Sequence, residues 1–90
     1  MPTNPIHKSN LYHIIIVRPD NTPIGLVLLY HKWGGIIVDQ ILAGSHAAQS
    51  SIQLGDELYT VNNLLVRGNE TRAISKLQMN INLDLVVRRR

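Results

Sequence analysis

The stretch Thr22-Pro23-Ile24-Gly25-Leu26, running straight into Val27-Leu28-Leu29-Tyr30, decides how this chain is read. A glycine between two apolar residues at the entrance to an apolar strand is where a backbone can turn its N–H groups outward. Such a loop can hold a carboxylate, and the strand behind it can pair with whatever chain carries that carboxylate. Arg18 is the nearest cation before the loop, able to support the carboxylate directly or through a water or to serve as a solvated turn residue.

Working outward, Leu11 to Val17 is a β-rich run stopped by the turn cluster Arg18-Pro19-Asp20-Asn21-Thr22-Pro23. Ile24 to Tyr30 is the second strand, His31-Lys32-Trp33-Gly34-Gly35 its turn, and Ile36 to Leu42 the third strand. Ser45 can cap a very short helix through Ala47-Ala48-Gln49. Gly55-Asp56 turns the chain into a strand with apolar residues at 58 and 61, and Asn62-Asn63 turns it again into Leu64–Val66. Asn69 reads as the N-cap of the longer helix, Glu70 to Gln78 or Met79, with Glu70 in the first turn and Lys76 near the end, as the helix dipole favours. Ala73, Ile74 and Leu77 share one face of it. Ile81 to Arg88 closes the domain as a strand in which Leu83, Leu85 and Val87 alternate with polar neighbours. The order is β-β-β-α-β-β-α-β, a mainly β (α+β) domain over 11–88, with residues 1–10 a loose leader and 89–90 a basic tail.

Composition narrows the function. Ninety residues make one domain with a modest core, 44% apolar and 17% charged, built on Ile, Leu and Val with no Phe. There is no Cys, which excludes disulfides, thiol catalysis and Cys-ligated zinc. Nine Lys/Arg against six Asp/Glu give +3, and Arg88-Arg89-Arg90 supply the whole excess, so the body is neutral and offers no nucleic-acid footprint. The three arginines fit a contact with acidic lipid or a device that keeps a strand end soluble, and a chain ending on them reads as a piece excised from something larger. No run is long enough to span a membrane and residues 1–10 lack a signal-peptide core, so the expected location is the cytoplasm, or the membrane through partners. His7, His13, His31 and His46 are scattered without ligand spacing, so no metal or cofactor is expected. Ser45 and His46 have no third group to orient them, and Asp56 and Glu57 point to opposite faces of a strand, so no catalytic site is expected either. Asp56 is expected to bond turn backbone, and Trp33 to cover the domain's own edge or else to touch ligand residues further from the terminus or a second protein.

Four segments in order give the chain a family likeness. They are Pro23-Ile24-Gly25-Leu26; Ile41-Leu42-Ala43-Gly44-Ser45-His46-Ala47-Ala48; Ile52-Gln53-Leu54-Gly55-Asp56-Glu57-Leu58-Tyr59-Thr60-Val61-Asn62-Asn63; and the closing helix and strand. Together they resemble a PDZ domain from Leu11 to Arg88, in the metazoan-type arrangement with the carboxylate loop after the first strand. The first is similar to the family's apolar-Gly-apolar carboxylate loop, and the third to its Gly-Asp-x-apolar-x-x-Val-Asn-Gly segment. His46 stands where Pro is usual, Asn63 and Ser51 where Gly is common, and the loop into the second helix is one residue short.

The resemblance implies a partly open barrel or sandwich of five to six strands with one short and one longer helix. It implies a module, not an enzyme, that captures the C-terminal tail of a partner by β-strand addition. The tail would lie between the second strand, at Leu26, Val27 and Leu28, and the second helix. Its carboxylate would meet the backbone N–H groups of Ile24, Gly25 and Leu26, with Arg18 nearby. Its apolar last side chain would enter a pocket of Ile24, Leu26, Leu28, Ile74 and Leu77, a burial worth about 1.5–3 kcal/mol. The cost of ordering the tail leaves an affinity that is roughly micromolar.

In the family the first residue of the second helix reads the ligand side chain two before the end. Aligning on Ala73, Ile74 and Leu77 puts Glu70 there, and aligning without a gap from Val61-Asn62 puts Thr71 there. Glu70 is favoured, because the other register would turn Ser75 and Gln78 toward the pocket. Glu70 would favour a donor or a cation and repel an acid, or else merely complement the helix dipole. Other readings are a substrate-sensing domain of a larger enzyme such as a protease, and acidic-membrane binding through Arg88-Arg89-Arg90, Lys8 and Arg67. The expected state is a monomer or weak homodimer, pairing through the free edge of the second strand.

Overall fold

The computed structural model describes residues 10–20 and 22–89; the leader with Lys8 and His7, together with Asn21 and Arg90, lies outside the described residues. Six strands and one helix follow in the order β1 (Leu11–Val17), β2 (Leu26–Tyr30), β3 (Ile36–Ile41), β4 (Glu57–Val61), β5 (Leu64–Leu65), α1 (Glu70–Met79) and β6 (Asn82–Arg88). The strands form one antiparallel sheet in the order β1-β6-β4-β3-β2, and β5 pairs on β4.

Alternation builds the core. Ile14 and Ile16 point inward from β1 and Leu83, Leu85 and Val87 from β6, and the pairing sets Ile14 opposite Leu85 and Ile16 opposite Leu83. Ile36, Val38, Leu58 and Val61 add the floor, and Ala73 and Leu77 of α1 close it from above. The β4–β5 turn is Asn62-Asn63, as its sequence suggests, with φ of 48° and 69° at the two residues, the left-handed pair that a tight hairpin requires. Asn62 also binds the start of β6: its Oδ1 accepts from the Asp84 N–H (2.7 Å) and its Nδ2 donates to the Asn82 carbonyl (3.2 Å).

Several expectations are corrected. β2 begins at Leu26 instead of Ile24, because the carbonyls of Ile24 and Gly25 accept from the N–H groups of Ala47 (3.0 Å) and Leu42 (2.8 Å), off the strand ladder. No short helix forms at residues 45–50. Ser45 Oγ does accept from the Ala48 N–H (3.1 Å), but Ser50 Oγ donates to the Ala47 carbonyl and accepts from the Ile52 N–H, and these side-chain bonds halt the segment as a turn. Asn69 precedes α1 without capping it through its side chain, whose Nδ2 donates backward to the Leu65 carbonyl. Trp33 covers no edge: it is 76% exposed, with only the Lys32 ammonium over its ring at 5.2 Å.

Arg88 and Arg89 part from each other: Arg88 lies over the Tyr59 ring and Arg89 turns to Asp56. Arg89 is no free tail: its N–H donates to the Asn10 carbonyl, and its Nε and Nη2 donate to the two Asp56 oxygens at 2.8 Å each. Asp56 is buried, and its Oδ2 accepts the Gln53 N–H as well, so it bonds turn backbone as expected and an ion partner in addition. That bond to Asp56 raises the Arg89 pKa further above its ordinary value.

Candidate functional site

β2 is the last strand of the sheet, hydrogen-bonded to β3 alone, so its other edge carries free backbone groups. A bulge between Val27 and Leu28 shifts its register against β3. Leu26 and Leu28 are half-buried and pack on the core, while Val27 and Leu29 face out, the alternation a strand imposes. Ile74 packs on the same cluster, to which Ile24 and Leu77 themselves belong, so the five apolar residues singled out from the sequence lie in one continuous cluster.

At the entrance to β2 the loop has a definite polarity. The carbonyls of Ile24 and Gly25 are bonded inward, and among the described residues their N–H groups have no acceptor. Gly25 sits at φ +93°, and a Cβ there would overlap the Ser45 side chain. Ser45 in turn is fixed by donating from Oγ to the Leu42 carbonyl (2.7 Å). Ser45, expected as a helix cap, here backs the loop. Upstream, Asp20 Oδ1 accepts from both the Thr22 hydroxyl (2.6 Å) and the Thr22 N–H (3.2 Å), which lowers the Asp20 pKa and stiffens the approach to the loop.

Arg18 does not sit as a solvated turn residue. It is 4% exposed, its Nη2 donates to the carbonyls of Gln78 (2.8 Å) and Asn80 (2.9 Å), and its Nη1 donates to the Thr22 carbonyl (3.4 Å). Its Nε is buried without a partner among the described residues. The side chain thus ties the end of α1 to the start of the loop and leaves a positive charge beneath both.

At the opposite end of α1, Glu70 Oε2 accepts from the N–H groups of Gly35 (2.7 Å) and Gly68 (3.2 Å). The Gly35 N–H, then Glu70's own N–H, then that of Gly68 hold the carboxylate below its ordinary pKa. On α1, Thr71, Ser75 and Gln78 are exposed, whereas Glu70 and Ile74 are half-buried and Leu77 is buried. Among the described residues no three His, Asp or Glu side chains are grouped to hold a metal ion, and no helix is long and apolar enough to cross a membrane.

The sequence matches no protein-family model and no curated protein. Solved structures match it well. The first PDZ domain of dmPar3, in complex with the dmPar6 PBM, is 21% identical with a TM-score of 0.77, covering 88% of this chain and 94% of its own. The PDZ domain of choanoflagellate GIPC is 13% identical with a TM-score of 0.78, covering 89% and 90%. That domain is also known bound to a B1AR peptide, with a TM-score of 0.76 to this chain, and to a GAIP peptide, with 0.71. This chain has the fold of a PDZ domain.

Proposed function

We propose that this chain is a PDZ-type interaction module that captures the C-terminal tail of a partner protein as an added strand on β2. The observation that carries the reading is the loop's polarity beside an open strand edge: inward carbonyls and unpaired N–H groups at Ile24 and Gly25, next to the free side of β2. The peptide complexes among the structural neighbours support it. The tail's carboxylate accepts from the N–H groups of Ile24, Gly25 and Leu26, with the buried Arg18 charge behind them. Its backbone pairs with Leu26, Val27 and Leu28. Its last side chain, an apolar one, enters among Ile24, Leu26, Leu28, Ile74 and Leu77.

Selection two residues upstream falls to Glu70, whose ionised carboxylate favours Ser, Thr, Lys or Arg there and disfavours an acid. Thr71, exposed on the helix, is the alternative selector that the same tails distinguish. The proposed chemistry is binding alone.

A panel of C-terminal peptides with apolar last residues, each with a free and an amidated end, tests the reading by fluorescence anisotropy. Free-ended tails bind at roughly micromolar affinity and amidated ones at least about tenfold more weakly, since the loop loses its anionic partner. Equal binding of both forms would remove the carboxylate mechanism.

A further inference from the structure

Away from the groove, a second site is built on the outer face of the sheet. Ile37, Glu57 and Arg88 are cross-strand partners on β3, β4 and β6, so their side chains stand in one row. Arg67 reaches over from the turn before α1 and donates from Nε to Glu57 Oε2 at 2.9 Å. Arg88 approaches Glu57 Oε1 from the other side with Nη1 at 4.0 Å, its guanidinium lying 5.0 Å above the Tyr59 ring. His31 and Gly55 complete the rim of a cavity of about 330 Å³.

The charges in this cavity do not balance. One carboxylate, with a side chain 11% exposed, forms the floor, and two guanidinium groups, 50% and 38% exposed, form the walls. Arg67 uses only Nε on the protein, and the Arg88 guanidinium makes no hydrogen bond among the described residues. Both arginines line the cavity, and their remaining donors have no acceptor among the described residues. Asp56 and Arg89, the positions just before β4 and just after β6, pair one to one, with Asp56 buried and the Arg89 side chain 19% exposed, so Arg89 adds no free charge to this cavity.

We propose that this cavity binds a phosphate group. A phosphate carries more negative charge than a carboxylate and three terminal oxygens that two guanidinium forks can grip together. The Glu57 floor repels any anion, so only one with more than a single charge gains clearly from the surplus. The stack on Tyr59 holds Arg88 ready, which lowers the ordering cost of the second fork.

The test is a titration of the isotope-labelled chain with inorganic phosphate, read by backbone amide shifts at ionic strength held constant with sodium chloride. Saturable shifts are expected at Gly35, Ile37, Gly55 and Arg88. Arg67→Gln and Arg88→Gln should each weaken binding by about tenfold, the loss of one charge-assisted contact. Both are surface substitutions, and unchanged amide shifts elsewhere verify the fold. Vesicles of phosphatidylcholine with and without phosphatidic acid separate the sources. Sedimentation with the acidic vesicles that the double variant abolishes assigns the phosphate to a lipid headgroup, and phosphate shifts without sedimentation assign it to a soluble phosphomonoester. No saturable shift, an undiminished response in the double variant, or acetate binding as tightly as phosphate overturns the proposal.

Discussion

The two ends of α1 are fastened by the same device with its sign reversed. At the C-terminal end a cation, Arg18, gathers carbonyls from Gln78, Asn80 and Thr22; at the N-terminal end an anion, Glu70, gathers amides from Gly35 and Gly68. Each sits where the helix dipole welcomes its charge. Each also joins the helix to a segment flanking β2, the carboxylate loop in one case and the β2–β3 turn in the other. The groove is therefore held open at a set width from both ends. The difference is burial. Arg18 is enclosed and has no acidic partner among the described residues, whereas Glu70 is only half-buried. The first fastening is structural and hard to alter; the second is adjustable and free to take part in selection.

The most severe way to break this asymmetry is Arg18→Ala. It strips the donor from three carbonyls and leaves a hole, and the expected loss is about 3 kcal/mol in urea unfolding followed by circular dichroism. A loss no larger than that of an exposed pair would erase the distinction between the two ends. Gly25→Ala comes next, combining a left-handed φ with an overlap on Ser45, at about 2 kcal/mol and with the tail affinity falling alongside. Glu70→Gln should change stability less than either, because the amide oxygen can still accept from Gly35 and Gly68. It should instead compress the preference among tails carrying Lys, Thr or Asp two before the end, and an unchanged ranking would return Glu70 to a purely structural role.

The smallest effect is a matter of pH. The Glu70 pKa is depressed in the folded chain, so its stabilisation is present above the unfolded value and disappears as pH falls through the folded one. The stability gap between the parent chain and Glu70→Gln should accordingly be full at neutral pH and close in strong acid. A gap that widened on acidification would contradict the assignment.

Much of the frame was legible because alternation is a strong signal. The inward set of β6 and the Asn62-Asn63 turn follow from residue type and period alone, and α1 runs over the residues its caps suggest. The partners of Arg18 and Arg89 were not legible, since they lie some sixty and thirty residues away in sequence. Yet a signal was there. Ile14, Ile16 and Arg18 share one parity, as do Leu83, Leu85, Val87 and Arg89, so carrying each alternation one step past the strand turns both arginines inward. The apolar side of the groove could be read because burial of Ile74 and Leu77 follows the helical period. The backing of Gly25 by Ser45 could not, because close approach between two loops leaves no periodic trace.

Trp33 has a practical consequence. It is the chain's single tryptophan, and it stands in solvent at the tip of the β2–β3 turn, two residues before the glycine that Glu70 engages. Its emission is already that of an indole in water, so unfolding the domain should scarcely move the spectrum, and a fluorescence melt would understate the transition. In the folded chain the same indole is a quiet background against which a blue shift reports that something, such as a tail long enough to run the length of the groove, has come to rest against the hairpin tip.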